Sequence, residues 1–180
     1  MNFVQPIRDP EQIQQIKEYL KERSERNFIL FVIGINTGLR ISDILKLKVE
    51  DLKGSHISMR EMKTGKQKRI QITAALRREL KGYMEGMEEY EYLIKSRQGT
   101  NRPIGRSMAY KILRSTAAEF DLDEIGTHTL RKTFGYHMYM QTKNIALLME
   151  IFNHTNEKVT LRYIGVNQDV MDKAMSKFKI

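Results

Sequence analysis

Apolar residues recur at helical spacing along most of the chain. Asp9 and Pro10 are typical of a helix start, because the acid caps the first turn and proline fits its backbone angle. A more apolar helix is predicted over 28–36 with Gly38 as its C-terminal cap, and another follows Arg40. The remaining helical patterns cover 74–84, 106–120, 129–141, 144–152, 156–163 and 168–177.

Between residues 55 and 73, apolar residues recur at every second position instead of at helical spacing. Apolar and polar residues alternate on both sides of the turn sequence T-G-K (64–66), which predicts a β-hairpin. The predicted fold class is therefore mainly α with a small antiparallel β-hairpin (α+β). No repeat or linker interrupts the chain, so residues 1–180 are predicted to form a single domain.

Composition narrows the class of protein. Hydrophobic residues make up 41% and charged residues 29% of the 180 positions, as in a globular domain. The absence of cysteine excludes a disulfide scaffold, cysteine-ligated zinc and a thiol nucleophile. The longest apolar stretch, 28–35, is shorter than the roughly 20 residues needed to span a bilayer, and the N-terminus lacks a signal pattern. We therefore predict a cytoplasmic protein without a membrane partner.

The charge distribution indicates a polyanionic partner. The net charge is +9, and lysine and arginine displace counterions from phosphates. Residues 53–72 carry six basic residues and one acid, residues 94–114 carry six and none, and the intervening 83–92 carry four acids. Double-stranded DNA is the predicted partner, although two solvated basic loops would give the same pattern.

Six residues could together cleave a phosphodiester without a metal or a cofactor. Arginines bind phosphate oxygens bidentately, a tyrosine oxygen can attack phosphorus, and lysine or histidine can move the protons. Each residue alone has an ordinary structural explanation, such as a helix cap, a turn charge or a packed aromatic ring. The six residues are Arg40, Lys63, His128, Arg131, His154 and Tyr163.

Four segments resemble the tyrosine recombinase (phage integrase) family, in its order and with its spacing. They are T-G-L-R-I-S-D-I-L-K-L (37–47), M-K-T-G-K-Q-K-R-I-Q-I (62–72), T-H-T-L-R-K-T-F (127–134) and N-H-T-N-E-K-V-T-L-R-Y-I (153–164). The resemblance covers roughly residues 10–175. It implies the fold of the family's catalytic domain and an enzyme that breaks and rejoins DNA in site-specific recombination or integration.

The resemblance also implies roles for the cationic residues. Arg40 and Arg131 match the two arginines that clamp the scissile phosphate. Lys63, on the first hairpin strand, matches the lysine that protonates the departing 5′ oxygen. Asp43 matches an acidic position that could orient the site, although an acid near a helix N-terminus has a structural explanation.

The remaining roles concern the nucleophile and the histidines. Tyr163 matches the nucleophile, which would form a 3′-phosphotyrosyl bond and release a 5′-hydroxyl. His128 matches the histidine that assists proton transfer, and His154 matches the position that supports the phosphate. The family's usual L-G-H is Phe152-Asn153-His154 here, and asparagine tolerates the left-handed backbone that glycine would supply.

Other basic residues are expected to contact the DNA backbone, which gives affinity but little sequence choice. Each of them could instead be a solvated surface charge. They are Lys66, Lys68 and Arg69 on the hairpin, and Arg102, Arg106, Lys111 and Arg114 in the second basic zone.

The catalytic pattern begins within the first dozen residues. The helical core-binding domain that precedes it in the family, and closes the clamp around DNA, is therefore expected to be absent. The apolar stripe of 167–180 could pack on its own domain, or it could dock onto a neighbouring protomer in a homotetramer on DNA. The alternatives to recombination are a non-catalytic DNA-binding protein with this fold, a type IB topoisomerase-like nicking and closing activity, and an unrelated helical regulator.

Overall fold

The computed structural model describes residues 4–179, which form helices around one two-stranded sheet. The predicted fold class is confirmed. The helices are α1 (Pro10–Arg23), α2 (Glu25–Thr37), α3 (Ile41–Ile44), α4 (Ala74–Met84), α5 (Arg106–Ala118), α6 (Thr129–Thr142), α7 (Ile145–Phe152), α8 (Glu157–Tyr163) and α9 (Val166–Met175), and a 3-10 helix spans Val49–Leu52.

Helix boundaries follow the capping residues in the sequence. The Asp9 side chain accepts a hydrogen bond from the backbone of Glu11 at the start of α1. Ser24 ends α1 and caps α2, so α2 begins at Glu25, one turn earlier than the apolar pattern indicates. Gly38 ends α2 with φ of 61°, the left-handed conformation that glycine adopts without strain.

The hairpin consists of β1 (His56–Arg60) and β2 (Gln67–Gln71), paired antiparallel with His56 opposite Gln71. Glu61 closes its turn, because its N–H donates to the carbonyl oxygen of Lys66 and its own carbonyl oxygen accepts from Gly65. The first strand thus ends at Arg60. Lys63, predicted on that strand, lies instead in the turn.

The core is built around α2, which is buried along almost its whole length from Phe28 to Gly34. A second, smaller cluster forms around Leu148, Phe152 and Ile164 on α7 and after α8. Gly135 of α6 permits this contact, since a Cβ atom there would lie 2.7 Å from Phe152 and Ile164. Helix α6 therefore joins the two clusters, and its N-terminal turn lies where they meet.

Two features of the chain between α3 and α5 have no clear pattern in the sequence. The apolar run after Arg40 gives only one α-helical turn before the 3-10 helix. The segment between α4 and α5 is tied down by two isolated bridges, Lys48 to Tyr92 and Lys95 to Pro103. Within residues 4–179, no helix is both long and apolar enough to cross a bilayer.

Candidate active site

Arg131 lies at the centre of the site and is almost fully buried on the first turn of α6. Its Nη1 donates to the carbonyl oxygen of Gly38 at 2.5 Å, and its Nη2 donates to that of Phe152 at 3.2 Å. Its guanidinium carbon lies 4.3 Å from the centre of the Phe152 ring. Both carbonyls belong to helix ends, where backbone oxygens have no partner within their helix. Arg131 is therefore held in one orientation between α2 and α7.

Arg40 is the residue that precedes α3, two positions after Gly38. Its Nη1 lies 2.8 Å from Oε2 of Glu61, although the contact lacks hydrogen-bond alignment. The side chain of Arg40 is 16% exposed and that of Glu61 is fully buried. This ion pair fixes one edge of the guanidinium.

Tyr163 is the last residue of α8 and is partly buried. Its ring packs edge-on against Phe152 and His154, with centroids 5.6 and 5.3 Å apart. Its hydroxyl lies 3.5 Å from Nδ1 of His128, the outer limit of a hydrogen bond. Burial raises the pKa of Tyr163, and the charges of Arg131 and Arg40 and a hydrogen bond with Arg131 act in the opposite direction. The nucleophile candidate thus faces both arginines and one histidine.

His128 is the residue that precedes α6. Burial lowers its pKa below the usual 6.5, and the charges of neighbouring cations lower it further. These cations are Lys132, Arg131, Lys63 and Arg106. A neutral imidazole is favoured at pH 7, and only a neutral imidazole can accept the tyrosine proton.

His154 follows a left-handed turn at Asn153, whose φ of 56° confirms that asparagine adopts this conformation here. The Thr160 hydroxyl donates to the carbonyl oxygen of Asn156 at 3.0 Å, so it accepts from Nδ1 of His154 at 3.1 Å. The imidazole therefore carries a proton on Nδ1. Burial lowers the pKa of His154, as do the charges of Arg131 and Arg40.

Lys63 is exposed in the hairpin turn, and its charge reaches His128. The turn is held by Asp43 of α3, whose Oδ1 accepts from the N–H of Met62 at 3.0 Å. Asp43 is fully buried, and its second oxygen has no hydrogen-bond partner among residues 4–179. The structure therefore brings all six predicted side chains to one face, from the α2–α3 junction, the hairpin turn, the start of α6, and α7–α8.

Comparisons with known proteins agree with this geometry. The sequence model of the Phage integrase family matches residues 8–169. The chain belongs to the phage integrase family. It is 49% identical to the probable integrase/recombinase YoeC of Bacillus subtilis (strain 168), over 99% of this chain and 98% of that protein. It is 24% identical to the tyrosine recombinase XerA of Pyrococcus furiosus, over 93% of this chain but only 59% of the recombinase.

Solved structures support the same fold for this member of the family. A XerA recombinase matches 98% of the chain with a TM-score of 0.77 at 18% identity, and the chain covers 67% of it. A XerH recombinase bound to its difH substrate after cleavage matches 98% of the chain with a TM-score of 0.73, and the chain covers 54% of it. The predicted family is thus confirmed, and a regulator unrelated to integrases is excluded.

The seven basic residues predicted to contact DNA differ in their surroundings. Lys66, Arg69, Arg102, Arg106 and Lys111 have exposed side chains. Arg114 is also exposed, but its Nη1 donates to the carbonyl oxygen of Asp123 at 2.6 Å. Lys111 lines an open groove of about 800 Å³ together with Arg23, Arg26 and Arg97, and no carboxylate of the described part of the chain lines this groove.

Lys68 occupies a different position from these surface cations. Its side chain is 11% exposed, and its Nζ lies 3.1 Å from Glu61 and 2.6 Å from the carbonyl oxygen of Ile151. Strand alternation explains this, because Lys68 shares the inner face of β2 with Ile70. A DNA contact by Lys68 would require it to leave this pair, and the contact remains a prediction.

Glu61 is the site residue that sequence reasoning missed in this integrase. A signal was present, since Ile57, Met59 and Glu61 alternate onto the inner face of the first strand. An acid at the end of such a face needs partners inside the protein. Two of its partners, Arg40 and Asn153, lie far away in the sequence, and no sequence pattern connects them to residue 61.

Proposed function

We propose that this chain breaks and rejoins DNA strands through a covalent intermediate on Tyr163. The observation that carries the proposal is the position of the Tyr163 hydroxyl, 3.5 Å from His128 and within the electrostatic reach of Arg131 and Arg40. A phosphate seated against the two guanidiniums would meet both the nucleophile and the group that takes its proton.

The proposed reaction balances without an external reactant. The Tyr163 oxygen attacks the scissile phosphorus while its proton passes to His128. The bond from phosphorus to the 5′ oxygen breaks, and Lys63 supplies the proton that makes the 5′-hydroxyl. The 3′-phosphotyrosyl ester retains the phosphodiester's reactivity. A second 5′-hydroxyl can therefore displace Tyr163 by the reverse steps.

The other side chains bind the phosphate in this scheme. Arg40 and Arg131 would stabilise the charge on its equatorial oxygens as the transition state forms. His154, with one proton fixed on Nδ1 by Thr160, turns its other nitrogen to the phosphate. That nitrogen donates only when the ring is protonated, which a bound phosphate would favour.

Double-stranded DNA is the proposed substrate. The charge of +9, the exposed basic residues on the hairpin and α5, and the carboxylate-free groove support it. These side chains would contact phosphates rather than bases, so binding should weaken steeply with added salt.

We also propose that the chain assembles on DNA through α9. Four large apolar side chains at the C-terminus are more than half exposed, which favours docking on another molecule over packing on their own domain. They are Val170, Met171, Met175 and Phe178. In a tetramer on DNA they would dock onto a neighbouring protomer. Gel filtration of DNA complexes compares the full chain with one ending before Asn167, and unchanged assembly would count against docking.

Covalent trapping tests the chemistry. Nicked oligonucleotides lose the short strand beyond the cut, so religation fails and the phosphotyrosyl adduct accumulates. We expect a protease-sensitive adduct that survives SDS, forms with the native chain and is absent with Tyr163→Phe. The control is Tyr90→Phe, which alters an exposed tyrosine outside the site. No adduct from any chain, with DNA retained in a native gel, would instead favour the non-catalytic DNA-binding alternative.

A further inference from the structure

Glu61 is a fully buried carboxylate with no part in the reaction proposed above. It has four partners. Oε2 accepts from the Thr64 hydroxyl at 2.8 Å and from Nδ2 of Asn153 at 3.2 Å, and it lies 2.8 Å from Nη1 of Arg40. Oε1 accepts from Nζ of Lys68 at 3.1 Å. Each oxygen of the carboxylate is thus engaged by at least one cation.

These partners come from three separate parts of the chain that hold the candidate catalytic residues. Arg40 is itself one of them. Thr64 belongs to the turn that carries Lys63, and Asn153 directly precedes His154. Lys68 extends the connection, since the same Nζ also donates to the carbonyl oxygen of Ile151 on α7. A single carboxylate therefore sets the relative positions of three segments.

The charges around Glu61 also require a counterion. Arg40, Lys68 and Arg131 approach one another closely enough for their charges to interact. Burying three cations without an acid would be strongly unfavourable. Glu61 compensates this charge from inside the protein together with Asp43, the other buried acid near Arg131, and the side chain of Arg40 keeps 16% of its surface exposed.

We infer that Glu61 is a positioning residue for the scissile-phosphate site, which orients the guanidinium of Arg40 and fixes the Lys63 turn against the Asn153–His154 turn. This inference rests on the proposed function. A positioning role for Glu61 has a distinctive consequence. Glu61 lies on the buried side of the cations, and its negative charge repels the negative charge of a bound phosphate. Removing its charge should leave DNA binding unchanged or tighter while slowing the cleavage step.

The direct test is Glu61→Gln, which keeps the shape of the side chain and removes its charge. We expect single-turnover adduct formation on nicked DNA to slow by a factor on the order of 10², the cost of a misplaced reacting group. The Kd for the same DNA, measured by fluorescence anisotropy, should stay equal to the native value or fall. Glu50→Gln, at an exposed position, is the matched control and should behave as the native chain.

A second variant separates positioning from folding. Glu61→Gln leaves Lys68 buried without its carboxylate, so the double variant E61Q/K68M removes both charges of this pair. Positioning predicts that the double variant regains thermal stability but still cleaves slowly. A purely structural role predicts that stability and cleavage recover together, which would overturn the inference.

The two proposals fail in different ways. If the native chain forms no adduct, the proposed function fails. If the native chain forms the adduct and Glu61→Gln forms it at the native rate, only the role of Glu61 is overturned. A parallel loss of DNA binding and cleavage in a folded Glu61→Gln protein would also overturn it.

Discussion

The active-site pocket and helix α9 are opposite extremes within the same small chain. Arg131 and Glu61 are buried and held by partners far away in the sequence, whereas no residue of α9 is buried. The pocket has its groups in place before any phosphate arrives, which lowers the reorganisation needed in the transition state. The apolar side chains of Val170, Met171 and Met175 on α9 are more than half exposed, a surface that suits contact with another molecule. In the proposed function, the geometry of the candidate site is thus intrinsic to the protomer, and assembly would depend on exposed surfaces.

The largest expected effect is that of Arg131→Ala. The change leaves the carbonyl oxygens of Gly38 and Phe152 without their buried donor and removes one phosphate-binding fork. We expect the free energy of unfolding to fall by about 2–5 kcal/mol, measured by urea denaturation. Adduct formation should be lost even where the protein is folded. Full stability in this variant would show that the pocket is less rigidly held than the contacts indicate.

Low pH should reduce the stability of the protein because it protonates Glu61. Burial raises the pKa of Glu61, but the hydrogen bond from Thr64, the ion pair with Arg40 and the charge of Lys68 outweigh burial and bring the pKa to about 2, against an ordinary 4.5. Stability from this depressed pKa is fully present above pH 4.5 and is lost as the pH falls towards 2. The loss is on the order of 3 kcal/mol.

Urea denaturation between pH 2 and 6 measures this dependence. Glu61→Gln should have a shallower stability profile than the native chain below pH 4.5. Glu50→Gln, which alters an exposed acid, should follow the native profile. An unchanged slope in Glu61→Gln would mean that other carboxylates cause the acid loss.

The pH dependence of cleavage tests His128. Its pKa is lowered below 6.5 by burial and by the charges of the cations around it. Because only the neutral ring accepts the Tyr163 proton, the rate should be constant near pH 7. It should fall about tenfold per pH unit below that pKa. Single-turnover adduct formation in His128→Gln should be slower and should not show this fall in rate at low pH. If the same fall remains in the variant, His128 is excluded as the base.

The smallest effect on the protomer is expected in α9. Met171 and Met175 are 53% and 68% exposed. The double variant Met171→Ser/Met175→Ser should therefore change the free energy of unfolding by less than about 0.5 kcal/mol. The same variant should weaken assembly on DNA, measured by gel filtration. Arg131→Ala would then lower the stability of the protomer, whereas the α9 variant would weaken only its assembly. A large stability loss from the α9 change would show that this helix packs on its own domain in solution.

Much of the local structure was predictable because its causes are local. The caps at Asp9 and Gly38 and the period of two in the hairpin are fixed by neighbouring residues. The six site candidates were also identifiable, through motifs whose order and spacing match the family. The 3-10 helix at Val49–Leu52 was not, since it depends on backbone contacts with Glu89 and Glu91 across the fold.

The sequence alone determined the helices, the hairpin and the family, and it supplied the candidates for the reactive side chains. The tertiary structure decided which charges turn inward and which face solvent. Lys66 and Lys68 are two residues apart, yet Lys66 is exposed while Lys68 pairs with Glu61 and reaches the end of α7. The physical reason is that the environment of a buried charge is set by partners distant in the chain, such as Asn153 for Glu61, and such contacts leave no periodic signal.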